Sequence, residues 1–214
     1  MSNPKQVRLA GSVLDRSRHV CAFFHGKEEE YRVFLPFIKE GFDQGDRAVH
    51  LVDPRHRTEH LRRLQGTGID VAAAERNGQL AVRRWEDAQL RDGRFDQNRM
   101  LALIEEVLAE GKAQGFRLTR LMANMEWALE DRPGVEDLLE FETRVNYLAP
   151  RYQDALCCVY DVARFNSDVV MTILRTHPMV IIGGILEQNP FFVPPDELLR
   201  ELRERAGQDS TGVG

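Results

Sequence analysis

Short apolar runs alternate along the chain with longer stretches in which apolar side chains recur every three or four residues, a pattern of strands interleaved with helices. His19-Val20-Cys21-Ala22-Phe23-Phe24 is apolar and bounded by polar residues, as in a central strand buried on both faces. Tyr31, Phe34, Leu35, Ile38 and Phe42 follow at helical offsets, behind Glu28, Glu29 and Glu30, whose carboxylates suit the positive end of a helix dipole. Pro36 falls inside that helix and is expected to kink it. A second strand spans 48–52, and Asp53-Pro54 opens a helix carrying Leu61 and Leu64, with Asp53 as its N-cap. Beyond the Gly66-Thr67-Gly68 break, a short helix over 71–76 leads through Asn77-Gly78 into a strand over 79–85.

The same reading continues to the C-terminus. Leu101, Ile104 and Leu108 form one stripe of a helix over 98–111. A strand over 118–127, a helix over 135–148 and a strand over 155–162 come next, then a helix over 168–175 capped by Ser167. Val180-Ile181-Ile182 and Ile185-Leu186 flank Gly183-Gly184, a hairpin signal because both glycines tolerate positive φ. Pro194-Pro195 ends that piece before a charged helix over 196–206. Alternation of this kind predicts a three-layer α/β/α fold on a mostly parallel central sheet, with a C-terminal hairpin. Residues 1–17 lack sustained periodicity and residues 207–214 are rich in Gly and small polar side chains, so both ends are expected to be frayed around one folded unit over 18–206.

Composition narrows the function. A length of 214 residues suits one domain with a full core, and 34 acidic against 29 basic side chains leave a net charge of -5. That balance lacks the positive field of a nonspecific nucleic-acid binder. No run is long and apolar enough to span a bilayer, and the N-terminus lacks a signal peptide's apolar centre, so a cytoplasmic protein with no membrane contact is expected. The three cysteines, Cys21, Cys157 and Cys158, include an adjacent pair and no CxxC spacing, which suits reduced, buried thiols over disulfides or a structural zinc knot.

Candidate chemistry gathers where strands end, because ligands of open α/β sheets bind beyond the carboxyl ends. In the loop Phe24-His25-Gly26-Lys27-Glu28, Gly26-Lys27 occupies the GK place of a P-loop, but Glu28 stands for the magnesium-binding hydroxyl and Cys21 for the first glycine. Catalytic ATP hydrolysis is therefore not expected, and a degenerate nucleotide-binding protein using Lys27 is kept as an alternative reading. His19 and Cys21 share one face of the first strand, with His25 beyond them in the same parity. Those three are an alternative metal or redox set, against the simpler reading of Cys21 in the core and the histidines at the strand's ends. Alternation puts Asn124 and Glu126 on one face of the strand over 118–127, and Met125 and Trp127 on the other. A carboxylate and an indole there suit a small, partly apolar ligand, or else a helix cap and a core residue. Tyr160 and Asp161 end the next strand, and His177 precedes the hairpin.

The motifs carry a family resemblance as well. The strand 19–24, the helix ending Pro36-Phe37-Ile38-Lys39-Glu40-Gly41, and Gly45-Asp46-Arg47 leading to Val52-Asp53 resemble the MEDS domain, the sensory domain of methanogens, methylotrophs and DcmR-type regulators. Gly93-Arg94-Phe95-Asp96, Glu126-Trp127-Ala128-Leu129, Tyr160-Asp161 with Arg164-Phe165, and His177-Pro178 through Gly183-Gly184 and Asn189-Pro190 to Val193-Pro194-Pro195 follow in the same order. The resemblance implies a RecA/KaiC-like fold and a non-enzymatic domain, with no catalytic residue, that senses a small organic molecule such as a hydrocarbon derivative. It suggests His19, Cys21, Glu126, Trp127, Tyr160 and His177 as pocket residues. With His25, Tyr31, Asn124 and Asp161 they make up the expected ligand-binding set, and no metal or cofactor is assigned. No output segment is recognised after Leu199, so signalling is expected through a partner protein or self-association, with no direct nucleic-acid contact. The stripe Leu198, Leu199 and Leu202 is either a contact for that partner or packing against the chain's own body.

Overall fold

The protein is described by a computed structural model that covers residues 6–14 and 18–211. A hairpin comes first: β1 (Val7–Leu9) pairs antiparallel with β2 (Ser12–Leu14) around Ala10 and Gly11, whose φ angles of 50° and 77° are both positive as a two-residue primed turn requires. The expectation of a frayed start is therefore corrected for residues 7–14. Val7, Leu9 and Leu14 are buried in the main apolar cluster on one face of the sheet, and their spacing is too short to register as periodicity. Residues 1–5 and 15–17 lie outside the described residues.

The body continues with β3 (His19–Phe24), α1 (Lys27–Asp43), β4 (Arg47–Val52), α2 (Arg57–Gly66), α3 (Val71–Arg76), β5 (Leu80–Arg84), α4 (Gln97–Ala113) and β6 (Thr119–Asn124). It closes with α5 (Leu138–Leu148), β7 (Ala155–Asp161), α6 (Ser167–Leu174), β8 (Met179–Ile182), β9 (Ile185–Gln188) and α7 (Pro195–Thr211). Seven strands form one sheet in the order β5-β4-β6-β7-β3-β8-β9, parallel throughout except for the β8–β9 hairpin. This is the expected three-layer α/β/α arrangement.

Strand alternation decides the two cores. Val20, Ala22, Phe24, Cys157 and Val159 face α1, α2 and α3, whereas Cys21, Phe23, Leu121, Ala123, Leu156, Cys158 and Tyr160 face α4, α5 and α6. Pro36 is tolerated within α1 because it lies on the exposed side, where water serves the carbonyl it cannot pair. Asp53 caps the turn after β4 by accepting from the Arg55 amide at 2.8 Å, as the sequence predicts.

Three boundaries differ from expectation. The strand predicted over 118–127 stops at Asn124, and Glu126–Leu129 forms a single 3-10 turn, so Glu126 and Trp127 leave the alternation of the sheet. The cap of α6 is Asn166, which accepts from the Val169 amide at 2.9 Å, in place of Ser167. Backbone helix α7 runs to Thr211, well into the segment expected to be frayed, and residues 212–214 lie outside the described residues. Leu198 is buried and α7 packs on α5, so that part of the terminal stripe serves the chain's own body.

Candidate functional site

The helix α5 carries a carboxylate inside its apolar stripe. Glu142 lies between Phe141 and Val145, both core residues, and the helix turns it against the sheet with no exposure. Its Oε1 accepts from the Tyr160 hydroxyl of β7 at 2.6 Å. Its Oε2 lies 3.4 Å from Cys158 Sγ on the same strand, 3.3 Å from His19 Nε2 on β3, and 3.4 Å from His177 Nε2 in the α6–β8 turn. The side chains of His19, Cys158, Tyr160 and His177 come together there because β3, β7 and β8 are neighbours in the sheet and odd residues of β3 share a face with even residues of β7.

Hydrogen bonds behind the ring fix both imidazoles. Asn146 donates to the carbonyls of Thr176 and Thr143 at 2.7 and 3.1 Å, which turns its Oδ1 toward His19 Nδ1 at 3.1 Å as an acceptor. The Nδ1 of His177 lies 3.3 Å from the Ile173 carbonyl, which can only accept, and 2.7 Å from the Thr176 hydroxyl, itself donating to that same carbonyl. Each Nδ1 thus carries a hydrogen, and each Nε2 faces the Glu142 carboxylate, whose pKa, against the effect of burial, the two imidazoles hold well below the ordinary range. The two rings lie 4.0 Å apart. Burial pulls the His19 imidazole below its ordinary range, aided by His177, and burial together with the Glu142 charge pushes the Cys158 thiol and the Tyr160 phenol up. Cys21 flanks the group, with its thiol 3.7 Å from the Met179 carbonyl.

Against this cluster lies an enclosed apolar cavity of about 20 Å³ between the sheet and α4 and α5. His19 and Cys158 form one wall, Met100, Met125 and Phe141 are among the apolar lining, and Gln89 and Trp127 complete it. Two polar atoms of these lining residues, Gln89 Oε1 and Trp127 Nε1, are buried with no hydrogen-bond partner. The Trp127 ring is held by Phe95, 4.5 Å away between centroids. A space of this size admits about one water-sized group.

The remaining expected residues separate from that cluster. At the carboxyl edge, Lys27 Nζ is paired with Glu30 at 2.8 Å and Glu126 at 3.4 Å, while Asn124 donates to Glu30 at 3.1 Å. Burial raises Glu126 above the ordinary carboxylate range, with the Lys27 charge opposing it. The lysine at the GK position thus already faces two carboxylates. Asp161 accepts from the Gly26 amide at 3.2 Å and ties β7 to the start of α1. Tyr31 lies in the other layer, against His60 at 3.3 Å. His25 is exposed, its amide bonded to Glu29, at the opposite end of β3 from His19, so the alternative metal set of His19, Cys21 and His25 is not assembled. Five residues along an extended strand separate imidazoles by far more than any ion can bridge.

Of the expected residues, His19, Tyr160 and His177 belong to the buried cluster, Cys21 lies beside it, and Trp127 lines the cavity. Sequence reading missed Glu142, Asn146 and Gln89, and placed Cys158 in the core alone. The available signal was the carboxylate in the stripe Leu138, Phe141, Val145 and Leu148, a charge where a helix should be apolar.

Residues 18–178 match the family model of the methanogen/methylotroph, DcmR sensory domain, MEDS, and so include the whole cluster. The chain is 25% identical over 181 residues to the transcriptional repressor DcmR of Methylorubrum extorquens, covering 83% of this chain and 64% of that protein's length. The crystal structure of a KaiC-like protein, PH0186, from Pyrococcus horikoshii OT3 superposes with a TM-score of 0.52 at 16% identity, over 77% of this chain and 70% of that one, a likeness of fold. The chain belongs to the MEDS family of sensory domains.

Proposed function

We propose that this domain senses a small, largely apolar organic molecule in the cavity between the sheet and α4 and α5, and performs no catalysis. The observation that carries this reading is the pairing of an enclosed apolar space with two orphaned polar atoms among its lining residues, Gln89 Oε1 and Trp127 Nε1. Leaving such atoms unpaired in a protein core costs about 1–3 kcal/mol each. Neither atom faces the closed space itself, so a ligand offering a donor to Gln89 and an acceptor to Trp127 would recover that cost once the wall repacks around it. A short alcohol or ketone has that character. The closed cavity is smaller than such a molecule, so binding requires Met100 and Met125 to repack, and unbranched thioether side chains do this readily.

The membership of a sensory family and the likeness to a transcriptional repressor support a regulatory role. The signal would pass to a partner protein or through self-association, without direct contact to nucleic acid, in a cytoplasmic setting. Among the described residues no helix is long and apolar enough to cross a membrane.

A thermal-shift series of short alcohols, ketones and hydrocarbons tests the reading, since a ligand that binds only the native state raises the melting temperature by mass action. A ketone or alcohol is expected to stabilise the protein, and Trp127→Phe, which keeps the ring and removes the N–H, is expected to weaken binding about tenfold. No stabilisation by any class, or an affinity unchanged by Trp127→Phe and Gln89→Leu alike, would overturn it.

A further inference from the structure

We propose that His19, Glu142, Cys158 and His177 form a buried site for a divalent transition metal of the zinc type. Their four ligand atoms lie within 4.8 Å of one another, all from buried residues. A tetrahedral zinc ion with ordinary bonds to nitrogen, oxygen and sulfur separates its ligand atoms by about 3.3–3.7 Å. Four of the six separations fall in that range: 3.3 and 3.4 Å from Glu142 Oε2 to the two Nε2 atoms, 3.4 Å from Oε2 to Cys158 Sγ, and 3.7 Å from Sγ to His19 Nε2.

Hydrogen bonding and charge point the same way. Both Nδ1 atoms are committed to acceptors behind the ring, which turns the Nε2 atoms inward, the usual arrangement behind a metal-bound histidine. His177 Nε2 is buried, aimed at Glu142, and has no hydrogen-bond partner. Two imidazole nitrogens and a carboxylate converging in a dry interior need a positive charge among them, which either a metal ion or a proton on one Nε2 supplies. A divalent ion with one thiolate, one carboxylate and two neutral imidazoles is electrically neutral, which removes the main cost of burying charge. Tyr160, donating to the other carboxylate oxygen at 2.6 Å, leaves Oε2 to the ion.

The ligands come from β3, α5, β7 and the α6–β8 turn, so an ion there would fasten α5 and α6 to the centre of the sheet. It would also form one end of the cavity through His19 and Cys158. Binding expels the thiol proton to solvent and involves no electron transfer. The proposal stands apart from the organic ligand, because it is tested without one and survives if the cavity binds nothing.

The test uses the full chain purified without an affinity tag, first for metal content as isolated, then refolded from denaturant with chelator and one equivalent of cobalt(II). The expected result is about one metal per chain as isolated, or one cobalt taken up on refolding, with a thiolate-to-cobalt absorption band. Cys158→Ser is nearly isosteric and should abolish that band, and His177→Gln should weaken uptake at least a hundredfold, whereas Cys21→Ser and His25→Ala should leave both unchanged. A folded protein with no metal as isolated and no cobalt uptake would show a purely hydrogen-bonded cluster and overturn the proposal. So would a band that survives Cys158→Ser, or one that depends on Cys21.

Discussion

On the face of the sheet opposite the cluster, three side chains form a buried chain that should make the protein acid-sensitive. His50 on β4 faces His60 on α2 at 2.8 Å, and His60 faces the Tyr31 hydroxyl on α1 at 3.3 Å. Burial, reinforced by the Lys27 and Arg57 charges, lowers the His60 imidazole from 6.5 to about 4. Above 6.5 neither the folded nor the unfolded chain binds this proton, and stability is full. As the pH falls, the unfolded chain takes the proton first, so stability is lost from about 6.5 downward and the loss saturates below about 4. Between about pH 7.5 and about pH 4.5 the His60 contribution alone should fall by about 2.5 kcal/mol, most steeply near pH 5–5.5 at about 1.2 kcal/mol per pH unit. His50, also held well below its ordinary range by burial and by His60, adds to the slope. Urea unfolding of the wild type and of His60→Gln across this range isolates the effect. The stability advantage of the wild type should shrink by about 2.5 kcal/mol on acidification. A difference that stays constant with pH would refute the reasoning, because it would mean that His60 binds its proton equally in the folded and unfolded chain.

Two substitutions probe the supports of the fold and the cavity. Asp46 is buried and accepts from Arg120 and Arg117 at 2.7 Å each, so Asp46→Ala should cost about 3–5 kcal/mol in chemical denaturation by stranding the buried Arg120 guanidinium. A loss below about 1 kcal/mol would show that Arg120 is served by the Phe37 carbonyl and Glu40 alone. Gly134 has φ of +89°, and a Cβ there would lie 2.1 Å from the Phe95 carbonyl oxygen. Gly134→Ala should therefore cost at least about 1–2 kcal/mol from the left-handed backbone, and should alter Trp127 fluorescence because Phe95 stacks on that indole. An unchanged spectrum would separate the loop from the cavity wall.

The strand and helix order was legible in the sequence because each element carries its own period: the run 19–24, the stripe through Leu101, Ile104 and Leu108, and the Gly183-Gly184 turn report their local geometry without help from the rest of the chain. The family resemblance was legible for a related reason, since the motifs that mark it are short and contiguous. The hairpin over 7–14 escaped because two three-residue strands are too brief for any period and acquire their burial only against α1 and the sheet. The strand stop at Asn124 escaped because a 3-10 turn keeps apolar residues that alternation reads as a longer strand.

For the site, local pattern put His19 and Cys21 on one face, but only tertiary structure decided what faces them. Glu142 is separated from His19 by more than a hundred residues, and nothing near it in the chain announces that α5 docks across β3 and β7. The sheet order, which puts the first central strand between β7 and β8, brings Cys158, Tyr160 and His177 to the same carboxylate. It also leaves His25, three strand repeats of two residues beyond His19, at the solvent edge. Sequence by itself determined which residues can do chemistry and which way each strand turns them. The long-range register of the parallel sheet, set by packing of helices on both faces, determined which of them meet.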